Sequence, residues 1–208
     1  MRLVDLLGRP GVDRIIAVVA SLPFIYVLYY NILAGGLTLP RAAIILQLLL
    51  LVITMVIRRP PVRVTTSPLY WIVAFVGSYY GFLTASIALE GRPLVPALLT
   101  DSLSVCSVLA DGYARISLGR NIGFVPAQRR LVMGGPYRLV RHPIYGALFL
   151  AELCVVLENF SWVNFGLSTV FIGLFVIKTL MEERFLALDP VYAGYMERVR
   201  HRWIPGLL

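Results

Sequence analysis

Three stretches of this 208-residue chain hold side chains able to do chemistry, and all lie in its C-terminal half. The first is Gly134-Gly135-Pro136-Tyr137-Arg138-Leu139-Val140-Arg141-His142-Pro143-Ile144-Tyr145. Its paired glycines permit positive φ and close backbone approach to a ligand. Pro143 suits the first turn of a helix, where a missing N–H costs nothing. His142 then falls near an N-cap, ahead of free backbone N–H groups that attract an anion such as a ligand carboxylate. The same run also reads as a basic loop for lipid headgroups. The second stretch is Lys178-Thr179-Leu180-Met181-Glu182-Glu183-Arg184. Lys178 and Glu182 are four apart and share a helix face. Adjacent carboxylates at a helix C-terminus oppose the macrodipole. They read either as a solvated helix end or as a site for a cationic ligand. The third is the tail 189–208, with Tyr192, Tyr195, Arg198, Arg200, His201, Arg202, Trp203 and Pro205. It reads as an interfacial anchor or as a cover for a pocket. His201, among arginines, suits a headgroup contact better than a catalytic base.

The elements that must position these residues are membrane helices. Residues of the AVILMFWYC set make up 59% of the chain and charged residues only 14%. Soluble domains carry about 25% charge, so a soluble enzyme, a coiled coil and a disordered chain are excluded. Six apolar segments follow one another at about 15–33, 42–57, 69–89, 94–114, 144–157 and 162–181. A span needs roughly 20 residues, so the fifth is short and is expected to pair with the sixth through a tight turn at Glu158-Asn159. The expected fold class is all-α: a polytopic transmembrane helical bundle of about six segments, with a cytoplasmic pocket made by the C-terminal half. Residues 1–114 form its N-terminal helices. Residues 115–208 form a loop, a helical hairpin and a tail. Cys106 and Cys154 lie in apolar runs and read as small buried hydrophobes, with no metal motif. Asp101, Asp111 and Glu152 fall within spans, where an acid is a functional candidate. Asp111 lies four residues before Arg115, which suggests an ion pair.

The net charge of +8 is read as membrane topology, not nucleic-acid binding. Six spans place both termini on one side. Seventeen of the 19 basic residues then fall on that side, Arg2 and Lys178 among them, and Arg41 and Arg92 on the other. Basic residues gather on cytoplasmic loops, so both termini are cytoplasmic. His142 at the start of the fifth segment and Glu182 at the end of the sixth then share one cytoplasmic level.

At these residues the chain resembles the isoprenylcysteine carboxyl methyltransferases and the related phospholipid methyltransferases. The resemblance rests on Leu118-Gly119-Arg120, Gly135-Pro136-Tyr137-Arg138, Arg141-His142-Pro143-x-Tyr145-Gly146, Glu182-Glu183-x-x-Leu186, Tyr192-x-x-Tyr195 and Ile204-Pro205, in that order. It covers nearly half the chain. It implies an integral-membrane enzyme that uses S-adenosylmethionine without a Rossmann fold, and the chain has no Gly-x-Gly-x-x-Gly turn after a strand. Carried over by position, it implies that Tyr137, Arg138, His142, Pro143, Tyr145, Glu182 and Glu183 hold the cofactor. The family usually has Arg where this chain has Lys178, which keeps the charge but loses the bidentate fork.

An activated methyl donor leaves the protein to align the acceptor and exclude water. A lipophilic acceptor would come from the membrane as an isoprenylcysteine-type carboxylate, an aminophospholipid or a small thiol. An amine would need a general base, for which Glu183 is the candidate, and Lys178 is the candidate cation at the methyl-transfer junction. Two other classes compete: an NADPH-dependent membrane reductase of the sterol-reductase type, and a heme- or lipid-binding protein. The second is disfavoured by having only His142 and His201. The charge asymmetry has a direct check. Reporter fusions at both termini are expected to report from the cytoplasm, and reporters on opposite faces would mean a miscounted span.

Overall fold

The structure is a computed structural model and describes residues 9–33, 39–85, 87 and 89–206. Arg2 lies outside these residues, as does the side chain of Arg41. Each expected apolar segment is a helix: α1 (Pro10–Leu33), α2 (Leu39–Val56), α3 (Pro68–Ala85), α4 (Ala97–Leu118), α5 (Pro143–Glu158) and α6 (Trp162–Leu186). A seventh, α7 (Pro190–Arg198), lies in the tail. Prolines open many of them: Pro10, Pro68, Pro143 and Pro190 stand first, and Pro96 caps α4. Proline's fixed φ is already helical there, and its absent N–H would have had no partner. α4 stops at Gly119, whose φ of 56° is a left-handed conformation that glycine adopts without strain.

The hairpin of α5 and α6 turns at Asn159–Ser161. The Ser161 hydroxyl accepts from the Asn164 N–H at 3.1 Å and caps α6. α6 is longer than the sequence reading expected and reaches Leu186, so Lys178, Glu182 and Glu183 all sit on its last turns. α4 packs on α5 and α2, α1 on α2, and α3 on α6. Among the described residues, α1 and α6 are helices with both the length and the apolarity to cross a membrane. Large apolar residues crowd the outward faces, among them Ile15, Leu22, Tyr26 and Tyr30 on α1 and Val163 and Ile177 on α6. Cys154 is buried as expected, but Cys106 is exposed on α4.

The all-helical expectation needs one correction. Arg63–Val64 (β1) pairs antiparallel with Ala127–Gln128 (β2), Arg63 opposite Gln128. Prolines 60, 61 and 126 beside them hold their preceding residues extended, and the Val62 and Thr65 N–H groups lengthen the seam by bonding Gln128 O and Pro126 O. The seam seats Phe124 and Val125 in the core with Ala20, Phe24, Met55 and Ala74. The loop that leads to the chemistry-bearing run is thereby part of the packed body.

A buried ion cluster closes the same level. Arg58 grips the Asp13 carboxylate through Nε at 3.0 Å and Nη2 at 2.8 Å, and Arg129 Nη2 adds a third contact at 3.2 Å. Burial, then repulsion from Arg58, lowers the Arg129 pKa to about 10. Removing the shared carboxylate leaves two buried guanidinium groups facing one another. Asp13→Ala is expected to cost about 3–5 kcal/mol, read as a large fall in unfolding temperature in detergent, whereas an unchanged midpoint would show that the cluster is solvated.

Candidate active site

The three stretches meet around one carboxylate. The Arg141-His142 segment enters α5 with Arg141 and His142 both buried. The Arg141 N–H bonds His201 O at 2.9 Å and the His142 N–H bonds Arg202 O at 2.7 Å, so the tail runs beside the segment as an extra strand-like partner. The Glu183 carboxylate of α6 ties the two together. Its Oε1 accepts from Arg141 Nε at 2.6 Å and lies 3.2 Å from His142 Nε2, and its Oε2 accepts from Arg202 Nε at 3.0 Å. Arg141 Nη1 also donates to Val199 O and Arg200 O. A backbone-bonded, charge-assisted cluster of this kind is rigid and expensive to open.

Two glycines let the pieces come this close. At Gly146 any Cβ would collide with the Trp203 carbonyl, so the tail backbone lies directly on α5. Gly135 has φ 57°, and its absent Cβ would stand 2.7 Å from Ser117 Oγ on α4. The turn Gly135–Arg138 therefore packs on the end of α4 and carries Tyr137 inward. The Tyr195 hydroxyl of α7 donates to Tyr137 O at 2.7 Å, and Trp203 Nε1 donates to Thr179 Oγ1 at 3.2 Å. Burial raises the pKa of Tyr137 and Tyr192 well above the ordinary phenol value and that of Tyr195 to about 12. All three remain neutral phenols at physiological pH.

Glu182, one residue before the knot, turns the other way. It accepts from the Tyr145 hydroxyl at 3.0 Å. The Tyr145 ring stacks on His142 with centroids 5.5 Å apart and meets Phe175 edge-on at 5.1 Å. Tyr137, His142, Tyr145, Lys178 and Glu182 all line a cavity of about 510 Å³, within the roughly 300–1,000 Å³ of small-molecule sites. Its wall is polar beside the loop and tail, where Gln128, Asp189 and Tyr192 join it. It is apolar along Phe24 and Val27 of α1, Leu48 and Leu51 of α2 and Phe171 of α6. Lys178 stands between the two regions. Its ammonium donates to Ser78 Oγ of α3 at 3.0 Å and lies 5.2–5.7 Å from the ring centres of Phe124, Tyr145 and Phe175.

Of the residues singled out from sequence, Tyr137, His142, Tyr145, Lys178 and Glu182 share the cavity wall. Three others do not line it. Pro143 is buried as the first residue of α5, Arg138 points outward and exposed, and Glu183 is taken up by its three partners. Lys178 is buried and not the solvated half of an i,i+4 pair. Asp111 does pair with Arg115, Nε to Oδ2 at 2.7 Å, and Glu152 bonds Ser168. The roles of Arg141 and Arg202 in the knot were missed, since an arginine in a basic loop looks like any other. The contact of Ser78 with Lys178 was missed as well, since Ser78 is one of several hydroxyls in its apolar segment.

Residues 98–192 match the family model of the phospholipid methyltransferases. The resemblance read from the motifs is borne out over that segment, which runs from α4 through the hairpin to α7 and takes in every cavity residue named from the loop, α5 and α6. A search of the curated proteins gives no match. The family match and the two long apolar helices support a membrane protein whose C-terminal region is similar to the phospholipid methyltransferases.

The Glu183 knot is what holds the tail down. Glu183→Gln removes the charge from all three contacts at once, each charge-assisted bond being worth about 1.5–3 kcal/mol. Trypsin is expected to cut after Arg198, Arg200 and Arg202 at least about tenfold faster in this variant. Equal rates would show that the tail is held elsewhere.

Proposed function

We propose that this chain is a multi-pass membrane methyltransferase that uses S-adenosylmethionine to methylate a lipophilic acceptor, with isoprenylcysteine-type carboxyl O-methylation as the leading reaction. The observation that carries the reading is one cavity lined on one part by polar groups of loop, hairpin and tail and on another by apolar side chains of the helices. Such a shape suits a water-soluble donor meeting a membrane-dissolved acceptor. The basic asymmetry of the sequence supports a cytoplasmic position for the loop, the tail and both termini.

The donor set fits the cofactor's chemistry. S-adenosylmethionine supplies a methyl group already activated on a sulfonium. Glu182, oriented by Tyr145, would hold a cationic part of it, and His142 with the N-terminus of α5 would take its carboxylate. Tyr137 and Tyr192 supply neutral walls for the remainder. Glu183 acts one step back: by fixing Arg141, His142 and the tail, it sets the geometry of the wall.

Lys178 supports an anionic acceptor. Its ammonium is placed at the junction of the polar and apolar regions, held by Ser78 and surrounded by aromatic faces. A carboxylate drawn to it arrives with its nucleophilic oxygen unprotonated. The residues then need only orient it and exclude water. The family match favours a second reading, aminophospholipid N-methylation. An amine must lose a proton, and since both Glu183 oxygens are engaged, the base would be Glu182.

Purified protein in detergent is expected to bind S-adenosylmethionine and not NADPH in calorimetry. His142→Ala and Glu182→Ala should each weaken that binding by about tenfold or more through lost charge-assisted contacts. With prenylated thioacids as acceptors, Lys178→Arg should retain much of the turnover and Lys178→Met should lose most of it. Preference for aminophospholipids with full activity in Lys178→Met would establish the second reading. Binding of NADPH alone would overturn both.

A further inference from the structure

α4 contributes one charged residue to the cavity that the reading above does not use. Arg115 lies in the cavity wall and is only 5% exposed. Its Nε is committed to Asp111 Oδ2 at 2.7 Å, one turn earlier on the same helix. Asp111 is wholly buried and its other oxygen has no partner among the described residues. The pair is therefore fixed in place by the helix itself. The two terminal nitrogens of Arg115 make no hydrogen bond among the described residues, yet unlike Asp111 Oδ1 they are not sealed from the cavity.

A guanidinium has five N–H donors in a planar fork. Leaving its terminal nitrogens unsatisfied in a largely buried place is costly. An oxyanion is the group that satisfies both at once, through two parallel bonds. The Arg115 charge also reaches the other groups of the site. It opposes the effect of burial on Tyr137, which faces the same cavity. The turn that carries Tyr137 packs through Gly135 on Ser117, two residues beyond Arg115.

We infer that Arg115, braced by Asp111, is an oxyanion-binding residue of the cavity, gripping a carboxylate or phosphate of the bound ligand with its free guanidinium edge. The inference rests on the methyltransferase reading for what fills the cavity. The oxyanion belongs either to the amino-acid end of the cofactor or to the head of the lipid acceptor. Asp111 is a positioning residue: it spends one edge of the guanidinium and aims the other.

The test uses the full chain in detergent, as wild type, Arg115→Lys and Arg115→Met. Lysine keeps the pair with Asp111 but loses the fork. Binding is measured for three ligands that carry an oxyanion, called anions below, each beside a neutral counterpart that lacks it: S-adenosylhomocysteine, for its carboxylate, with methylthioadenosine, dioctanoyl phosphatidate with dioctanoylglycerol, and oleate with oleyl alcohol. At least one anion is expected to weaken about tenfold or more in both variants, with its neutral counterpart within about twofold. If that anion is S-adenosylhomocysteine, Arg115 holds the cofactor carboxylate; if it is phosphatidate or oleate, Arg115 holds the acceptor head. Unchanged affinities for all three anions, or equal losses for anions and neutrals, would overturn the inference. So would an Arg115→Lys protein that does not fold, which would make the residue part of the framework. Wild type that binds no S-adenosylhomocysteine but shows Arg115-dependent phosphatidate or oleate binding would instead remove the methyltransferase reading and leave the oxyanion site standing.

Discussion

The Glu183 carboxylate is the interaction on which the rest of the site depends. It is buried, and a buried charge without partners costs several kcal/mol. Here Arg141 and His142, which the hairpin brings beside the end of α6, and Arg202 from the tail all converge on it. One carboxylate thus sets the entrance of α5, the exit of α6 and the path of the tail. Because the Arg141 and His142 N–H groups also donate to the His201 and Arg202 carbonyls, the knot is bonded through main chain as well as side chain. Its neighbour Glu182, on another face of the same helix, turns toward the cavity and accepts from Tyr145.

A second constraint is closeness. The tail can lie on α5 because position 146 has no side chain, and the Tyr137 turn can lie on α4 because position 135 has none and adopts φ 57°. These contacts seal one side of the cavity with backbone. The other side is sealed by Phe124, which the short β1–β2 seam holds under α1, α2 and α3. The result is a compartment whose polar and apolar walls belong to different layers of one body. Lys178 marks their boundary, snorkelling from an apolar helix toward a hydroxyl and three rings.

The charges of the compartment are arranged asymmetrically. Three cations in or behind its wall are each tied by one edge to a partner: Arg115 to Asp111, Arg129 to Asp13 and the Arg59 carbonyl, Lys178 to Ser78. The partners fix direction without using every donor. Such preorganisation lets a site recognise an anion without paying to order its own side chains at the moment of binding.

Much of this was legible in the sequence. Helix positions followed from apolar run lengths and from prolines at their starts, since a membrane leaves the backbone few alternatives to a helix. The motif-bearing residues followed from their chemistry, and the shared level of His142 and Glu182 followed from counting spans. What the sequence could not decide was the direction of each side chain. Glu182 and Glu183 are adjacent and chemically alike, but successive residues on a helix point about 100° apart. One lines the cavity and the other anchors the tail, according to what packs on each face. Arg138 and Arg141 look equivalent in the loop, yet only Arg141 meets a carboxylate. The β1–β2 seam, the buried Asp13 cluster and the Ser78 contact with Lys178 join residues 45 to 116 positions apart. No local pattern encodes such pairings, because their energy arises only once the helices have packed.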